Sequence, residues 1–387
     1  MIRYSEQKID KSDILLVNKV LKSKFITTGP IVEKFEKKIC SLVSSKFSVS
    51  VTNASSGLII ACKALDLKKN DYVWTTPITF VATCTAVAHC GAKVDFVDID
   101  KKNFLISPSL LEEKLIKTPR IKRPKILILV HLSGFPCDLK EFRKLSKKYN
   151  FKIIEDASHA LGAKYLDSQI GDCKFSDITV FSFHAVKIIT TAEGGVCTTN
   201  NKYLSEKMKL YRSHGIVRKI KDVSSNKNYW KYDSISLGYN FRMNDIQAAL
   251  GIGQIKKLKN YVKERSLFAI YYKKLLKDLP INFQTTIKNS SPSWHLFIIL
   301  LNKKIRSNFF AYMKSRKIGI NFHYKPIFLN SFFKSKKINN YKKNYPNTFY
   351  YMNRAVSLPM HNNLNYLKIK YITKNIKKFF EKSAKHL

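Results

Sequence analysis

One lysine of this sequence follows a strand-like apolar run in a way that suits covalent chemistry. The run from Ile178 to Ser182 leads to Lys187, and the glycine pair Gly194 and Gly195 then marks a tight backbone turn. Burial at the end of a strand lowers the pKa of a lysine and frees an amine that can form a Schiff base. Because the chain is rich in lysine, a solvated surface residue is the commoner explanation of any single one.

A carboxylate closes another strongly apolar run, which ends at Asp156. Ligands of parallel α/β sheets bind at the carboxyl ends of the strands, so Asp156 is predicted to lie at a binding edge. Such a carboxylate can pair with the pyridinium nitrogen of pyridoxal phosphate and keep the ring protonated as the electron sink of transamination. The alternative is a helix N-cap, which is a common role of aspartate.

Two further segments leave predicted strands with polar or aromatic side chains. Residues 52–58 join the run 47–51 to an apolar helix pattern at 58–65, and their hydroxyls and glycine predict an anion site suited to phosphate. A plain capped helix explains this segment about as well. Residues 75–83 could present Phe80 to an aromatic ring, although a core phenylalanine is the more frequent case.

Short apolar runs alternate with amphipathic stretches over residues 45–200. The runs predict strands at 47–51, 72–75, 92–97, 126–130, 152–155, 178–183 and 195–198. Helical patterns follow several of them, as at 139–148, and this rhythm predicts an α/β fold with a largely parallel sheet covered by helices. After about residue 250 longer helices and a few strands, such as 296–301, predict a smaller C-terminal domain.

The charge balance is extreme, with 70 Lys+Arg against 27 Asp+Glu and a formal net charge of +43. Such a balance suits nucleic acid, an anionic membrane or acidic substrates as partners. The lysines nevertheless occur mostly in ones and twos, without a basic tail or an aromatic-plus-basic RNA-binding pattern. We therefore favour compositional drift, with long-range attraction of anionic substrates as a remaining role.

The cysteines and the apolar runs indicate in which cellular compartment the protein works. Seven cysteines are scattered and none forms a CxxC pair, which predicts a reducing compartment without disulfides or structural zinc. Residues 1–20 begin polar and charged, and no apolar run approaches the length of a membrane span. We expect a cytoplasmic protein with no metal site, no membrane contact and no nucleic-acid partner.

Six segments together resemble the DegT/StrS-type sugar aminotransferases, a branch of the fold-type-I pyridoxal-phosphate enzymes. They are TPITFVAT at 76–83, EDASHALG at 155–162, FSFHAVK at 181–187, TTAEGG at 190–195, SHG at 213–215 and GYNFRMNDIQAALG at 238–251. The resemblance runs from Tyr4 to His361 in the family's order. It implies a large cofactor-binding domain over residues 1–250, with a mainly parallel central sheet, and a smaller C-terminal α/β domain over 251–387. The resemblance also allows residues 1–20 to pack with the small domain.

The resemblance also implies roles for individual residues. Lys187 matches the lysine that holds the cofactor, and Asp156 matches the partner of its pyridinium nitrogen. Phe80 matches an aromatic residue against the cofactor ring, and His159 matches a neighbour of that ring. The matches to phosphate binders are Ser55, Ser56 through its amide, Ser182 and, from the neighbouring subunit, Asn240. The last of these implies a homodimer with shared sites.

Two details refine this assignment. Ser55 stands where many relatives have threonine, and the hydroxyl is kept. Related sugar dehydratases carry histidine in place of the lysine, so Lys187 favours aminotransfer.

The finer resemblance concerns the substrate. Residues 181–187 resemble the branch acting at C4 of UDP-linked 4-keto sugars. Together with residues 158–162 and 323–327 they are most similar to the UDP-4-amino-4,6-dideoxy-N-acetyl-β-L-altrosamine transaminases of pseudaminic acid synthesis, a cell-surface polysaccharide pathway. The implied substrates are L-glutamate and a UDP-linked 4-keto-6-deoxy-N-acetylhexosamine. Our candidates for substrate contact are His184, Arg242, His323 and Lys325.

Two other functions remain open from the sequence. Within the class, the chain could aminate a keto sugar at C3 or one linked to dTDP or GDP. Outside the class, a basic nucleic-acid-binding protein without catalysis would concentrate its lysines on one face. The joint presence of Lys187, Asp156 and the phosphate segment counts against that second reading.

Overall fold

The structure is a computed structural model that describes residues 1–217, 230–334 and 340–384. The α-helices of these ranges are α1 Lys11–Leu21, α2 Pro30–Val43, α3 Ala54–Ala64, α4 Ala82–His89, α5 Pro108–Lys117, α6 Leu139–Tyr149, α7 Lys202–Arg212, α8 Asp245–Ile255, α9 Leu258–Leu276, α10 Arg306–Ser315, α11 Tyr341–Asn344, α12 Pro346–Met352 and α13 Tyr366–Ala384. The strands are β1 Phe47–Val51, β2 Tyr72–Thr75, β3 Lys93–Phe96, β4 Ile126–Val130, β5 Lys152–Asp156, β6 Lys164–Tyr165, β7 Ser168–Gln169, β8 Ile178–Ser182, β9 Gly195–Thr199, β10 Ile216–Val217, β11 Asp233–Ser234, β12 Asn282–Phe283, β13 Ser290–Ser291, β14 Phe297–Leu300 and β15 Ala355–Leu358.

A seven-stranded sheet forms the centre of the fold, in the order β1-β9-β8-β5-β4-β2-β3. Strands β8, β5, β4, β2 and β3 pair in parallel, whereas β9 runs antiparallel to both β8 and β1. The predicted mainly parallel sheet is therefore confirmed. The register sets Asp156 opposite Val130 of β4 and Val180 of β8, so these strands end at one edge of the sheet.

The central strands are apolar on both faces because helices cover both faces. In β4 every residue is buried. Ile126 and Ile128 pack in the same cluster as the apolar residues of α3, while Leu127 and Leu129 belong to the cluster on the other face. A strand buried on both sides reads as a continuous apolar run rather than an alternating one, which explains why these strands stand out in the sequence.

Helix α3 begins at Ala54, earlier than its apolar pattern indicates. The Asn53 side chain accepts a hydrogen bond from the Ser56 amide at 2.9 Å and caps the helix. Strand β9 starts beside this cap, and a Cβ atom on Gly195 would lie 2.6 Å from the carbonyl carbon of Asn53. Only glycine allows the strand to approach the helix start so closely.

The C-terminal part of the chain has its own core. The antiparallel sheet β12-β14-β15 packs with α9, α10 and α13 around a buried cluster that includes Phe297, Phe309 and Ile369. Ile2 packs against this cluster, whereas α1 lies on α8. The domain boundary near residue 250 stays a prediction. In the described part of the chain, no helix has both the length and the apolar character needed to span a bilayer.

A buried polar network lies beneath the sheet edge at which β4, β5 and β8 end. The Cys137 amide donates to Nδ1 of His131 at 3.0 Å, so the ring proton sits on Nε2, which donates to Glu155 at 2.8 Å. The other Glu155 oxygen accepts hydrogen bonds from Thr179 at 2.9 Å and from Ser176. The network ties three strands together directly beside Asp156.

We expect Glu155→Gln to destabilise the protein by about 3 kcal/mol, because an amide places a donor where a buried carboxylate oxygen now accepts. The measurement is the free energy of unfolding from urea denaturation. Glu206→Gln is the matched control, since Glu206 is an exposed carboxylate on α7. Equal unfolding free energies for the two variants would show that the network does not stabilise the sheet edge.

Candidate active site

A cavity of about 670 Å³ opens where β4, β5 and β8 end. Its wall contains Val130, Asp156 and Ser182, the last residues of these three strands. This volume lies in the range of small-molecule and cofactor sites. The cavity therefore occupies the edge at which the sequence predicts ligand binding.

The cavity brings together eight of the twelve predicted site residues. These are Ser55, Phe80, Asp156, His159, Ser182, His184, Lys187 and His323. The other four lie outside its wall. Ser56 is buried, Arg242 is half-buried, and Asn240 and Lys325 are exposed.

Lys187 reaches the cavity from the loop after β8. Among the described residues, no side chain forms a hydrogen bond or ion pair with its Nζ atom. Burial lowers the pKa of Lys187 to about 8, against the opposing effect of the Asp156 carboxylate. An amine with this pKa is partly neutral near physiological pH and can act as a nucleophile or a base.

Three hydrogen bonds fix the Asp156 carboxylate at the cavity wall. Thr83 donates its hydroxyl to Oδ2 at 2.7 Å, and Ser158 donates its hydroxyl to Oδ1 at 2.6 Å and its amide at 3.2 Å. No helix begins here, because residues 157–163 consist of turns and irregular backbone. The helix-cap explanation of Asp156 is therefore wrong.

The start of α3 offers an anion site to the cavity. Asn53, Ala54 and Ser55 line the wall, and the positive end of the helix dipole points toward it. The Ser56 amide is already engaged by the Asn53 cap. In the described structure the amides of Ala54 and Ser55 have no acceptor, so these groups and the Ser55 hydroxyl are the ones available to a phosphate.

His159, another histidine of the wall, has a defined tautomer. The Ser133 amide donates to Nδ1 of His159 at 3.2 Å, so Nε2 carries the proton and donates to the Tyr324 hydroxyl at 3.2 Å. Burial, followed by the charge of Lys187, holds the pKa of His159 well below its usual range. With its oxygen accepting from His159, Tyr324 has its own hydroxyl proton left to donate.

The sequence reasoning missed several wall residues. They are Tyr4, Glu193, His295, Asn321 and Tyr324. Tyr324 belongs to the 323–327 segment that resembles the family, but the sequence analysis selects His323 and Lys325 from it as candidates for substrate contact. His295 lies two residues before β14, and its ring centroid is 4.3 Å from that of His159. Tyr4, whose ring lies 5.6 Å from His323, carried no signal as a site residue.

The wall chemistry fits pyridoxal phosphate. The site combines a free amine at Lys187, a fixed carboxylate at Asp156 and an anion site at the start of α3. Phe80 also lines the cavity and is 57% exposed, so it presents an uncovered apolar ring that a planar ligand can cover. These are the groups that the ring nitrogen, the aldehyde and the phosphate of this cofactor require.

The comparisons with known proteins agree with this site. The chain is 37% identical over 389 residues to the UDP-4-amino-4,6-dideoxy-N-acetyl-β-L-altrosamine transaminase of Campylobacter jejuni subsp. jejuni serotype O:2, covering 100% of this chain and 99% of that protein. The structure of Helicobacter pylori PseC, described as an aminotransferase of pseudoaminic acid biosynthesis, matches with a TM-score of 0.89 and 32% identity over 98% of this chain and 99% of that chain.

A second solved relative bears on the cofactor. The PMP form of Spr1654 from Streptococcus pneumoniae matches with a TM-score of 0.91 and 26% identity, over 99% of this chain and 100% of that chain. The same protein was also solved in a PLP form. These similarities confirm the predicted fold and the resemblance. Since residues 7–377 match the family as a whole, the chain belongs to the DegT/DnrJ/EryC1/StrS aminotransferase family.

Proposed function

We propose that the protein transfers an amino group from L-glutamate to C4 of a UDP-linked 4-keto-6-deoxy-N-acetylhexosamine, with pyridoxal phosphate as cofactor. The observation that carries the proposal is the amine of Lys187, which has no side-chain partner among the described residues and shares one cavity with Asp156 and the anion site of α3. The name of the Campylobacter relative and the described role of PseC support the sugar class.

Each part of the cofactor has a group to hold it in this proposal. Ser55, the free amides at the start of α3 and Ser182 bind the phosphate, Phe80 contacts the ring, and Asp156 pairs with the ring nitrogen. When bound, pyridoxal phosphate supplies the electron sink that makes the α-proton of the amino donor acidic. His159 is neutral and can donate a hydrogen bond only through Nε2. Because it is neutral, it adds no positive charge beside the cofactor ring.

Lys187 moves the proton in both half-reactions. Its Nζ atom removes the proton from Cα of glutamate and later delivers a proton to C4 of the sugar. The amino group would pass to the sugar by way of the cofactor, with water supplying the keto oxygen of 2-oxoglutarate and the sugar keto oxygen leaving as water. Burial suits both steps, because a pKa of about 8 lets the amine accept and release a proton near neutral pH. His184 and His323 line the cavity and remain our candidates for sugar contact. Arg242 and Lys325 lie outside the cavity wall, and we propose that they contact the UDP part of the sugar substrate.

We further propose a homodimer in which Asn240 reaches the site of the neighbouring subunit. The rings of Tyr239 and Phe241 stack with centroids 4.5 Å apart, and the Phe241 carbonyl accepts from the Thr52 amide at 2.9 Å. These contacts hold residue 240 next to the turn that precedes α3, while its side chain is exposed. An outward amide at this place is suited to bind a phosphate across a two-fold axis.

We place the reaction in the cytoplasm. All seven cysteines are free thiols, and five of them are buried. Unpaired cysteines in this number are typical of a reducing compartment.

The amine of Lys187 should titrate near pH 8. In the cofactor-free protein, we expect the rate of its modification by an amine-reactive reagent to reach half its maximum near that pH, whereas solvated lysines titrate near 10.4. Mass spectrometry of the peptide containing Lys187 gives the rate. Asp156→Asn removes the charge that raises this pKa, so its midpoint should move to lower pH. A Lys187 profile that coincides with those of exposed lysines would refute the assignment.

Visible absorption tests the reaction. With pyridoxal phosphate bound, we expect a yellow band that glutamate bleaches and that a UDP-4-keto-6-deoxy-N-acetyl sugar restores. Lys187→Ala should lose the covalently bound chromophore and at least about a hundredfold in turnover. Restoration only by a 3-keto sugar, or by a dTDP- or GDP-linked sugar, would support the alternative within the class. A protein that stays colourless with added cofactor would rule out the proposed function.

Subunit mixing tests the shared site. Lys187→Ala and Asn240→Ala each impair the sites of their own homodimers, but a mixed dimer contains one site with both residues intact. After dissociation and equal mixing, about a quarter of the sites should regain wild-type properties. The readout is turnover at low cofactor concentration, with each variant alone as the control. No gain on mixing would show that Asn240 does not act across the interface.

A further inference from the structure

Residues 2–5, which we call the N-terminal strap, are bound to the C-terminal part of the chain. The Ile2 amide donates to the carbonyl of residue 317 at 2.9 Å, and the amide of residue 319 donates back to Ile2 at 2.7 Å. The Tyr4 carbonyl accepts from the amide of residue 360 at 3.0 Å, and Nε2 of His361 donates to the Arg3 carbonyl at 3.1 Å. The strap is therefore fixed along its length.

The last residue of the strap contacts the loop that carries Lys187. The Ser5 hydroxyl donates to the Val186 carbonyl at 3.0 Å, across 181 positions of sequence. Ser5 is 9% exposed, so water has little access to this bond. Among the described residues the Val186 carbonyl has no other hydrogen-bond partner.

This contact completes the restraint of a single peptide unit. The Val186 carbonyl and the Lys187 amide belong to the same planar group. The amide end is already held, because it donates to the His184 carbonyl at 2.9 Å. With Ser5 on the carbonyl end, the plane cannot rotate without breaking a hydrogen bond, and the position of the Lys187 Cα atom, which lies in that plane, is restrained.

We propose that Ser5 is a positioning residue for Lys187, and that through the strap it couples the Lys187 loop to the C-terminal part of the chain. Its effect on turnover rests on the proposed function, whereas its effect on the loop does not. Ser5 acts through the backbone, since its only described side-chain bond is to Val186. Threonine at this position keeps the hydroxyl, and alanine removes it.

The first measurement is amide hydrogen exchange of the cofactor-free protein. In Ser5→Ala, we expect the peptide covering residues 183–191 to exchange about fivefold faster, as for the loss of one ordinary hydrogen bond. Ser5→Thr should exchange like the wild type. Ser41→Ala is the matched control, because the Ser41 hydroxyl also donates to a backbone carbonyl, that of Lys37 on α2, far from Lys187 in the chain.

The second measurement separates positioning from plain stabilisation. With cofactor and substrates, Ser5→Ala should lower kcat by about tenfold with little change in KM, since misplacement of the amine affects the chemical step rather than binding. The modification profile of Lys187 should also move toward that of a solvated lysine, and Ser5→Thr should restore both properties.

Three outcomes would overturn the proposal. They are unchanged exchange over 183–191 in Ser5→Ala, faster exchange spread evenly over the whole chain or general unfolding, and identical behaviour of Ser5→Ala and Ser5→Thr. The exchange experiment needs neither cofactor nor sugar. A protein that showed the local exchange change but never bound pyridoxal phosphate would support the positioning role while the proposed function failed.

Discussion

Parallel pairing of β4, β5 and β8 is the constraint on which the site depends. Neighbouring parallel strands end at the same edge of a sheet, so this pairing alone brings their final residues together. Asp156 thus lies between Val130 and Val180 in the ladder. Because successive side chains of a strand point to opposite faces, a slip in register by one residue would turn the Asp156 carboxylate away from the cavity wall. The position of the carboxylate is therefore set by the packing of the whole sheet.

The cavity wall also controls which groups carry charge. Burial holds the pKa of His159 and His295 well below the usual range and lowers that of His323 to about 4. All three histidines are neutral near pH 7, and the charge of Lys187 lowers the pKa of each one further. Lys187, with a pKa of about 8, is then the basic group among these that holds a positive charge near pH 7, and the Asp156 carboxylate stabilises that charge. Separating one basic and one acidic group in this way is typical of sites that move protons.

The sequence was informative where local pattern decides the structure. Strands 47–51, 72–75 and 126–130 have the same bounds in the structure, since short runs rich in β-branched and aromatic residues define them. The position of Lys187 and Asp156 at the carboxyl edge of the sheet could be predicted because Asp156 closes one strand-like run and Lys187 follows another. The ends were less certain, as α3 starts at Ala54 through a cap that hydrophobic periodicity does not reveal. The antiparallel direction of β9 depends on how the chain crosses the sheet, which no local pattern encodes.

The wall residues that were missed have a different origin. His295 and Tyr4 come from segments far from the central strands in sequence, and only tertiary packing brings them to the cavity. The engagement of the Ser56 amide by Asn53 is likewise a property of local geometry rather than of residue type. A family resemblance assigns roles to matching positions. It does not show which hydrogen-bond donors at those positions are already engaged within the protein.

The strap has a consequence for the order in which the molecule is completed. Its residues precede nearly all the others described, yet the Arg3 carbonyl bonds to His361, 358 positions later. Contacts of such separation form late in folding, because a long loop must close before they are gained. During synthesis the N-terminal segments emerge and fold first. The Lys187 loop thus acquires the Ser5 restraint only after residues as late as His361 have been synthesised, so a nascent chain that has not reached them carries this lysine without that restraint.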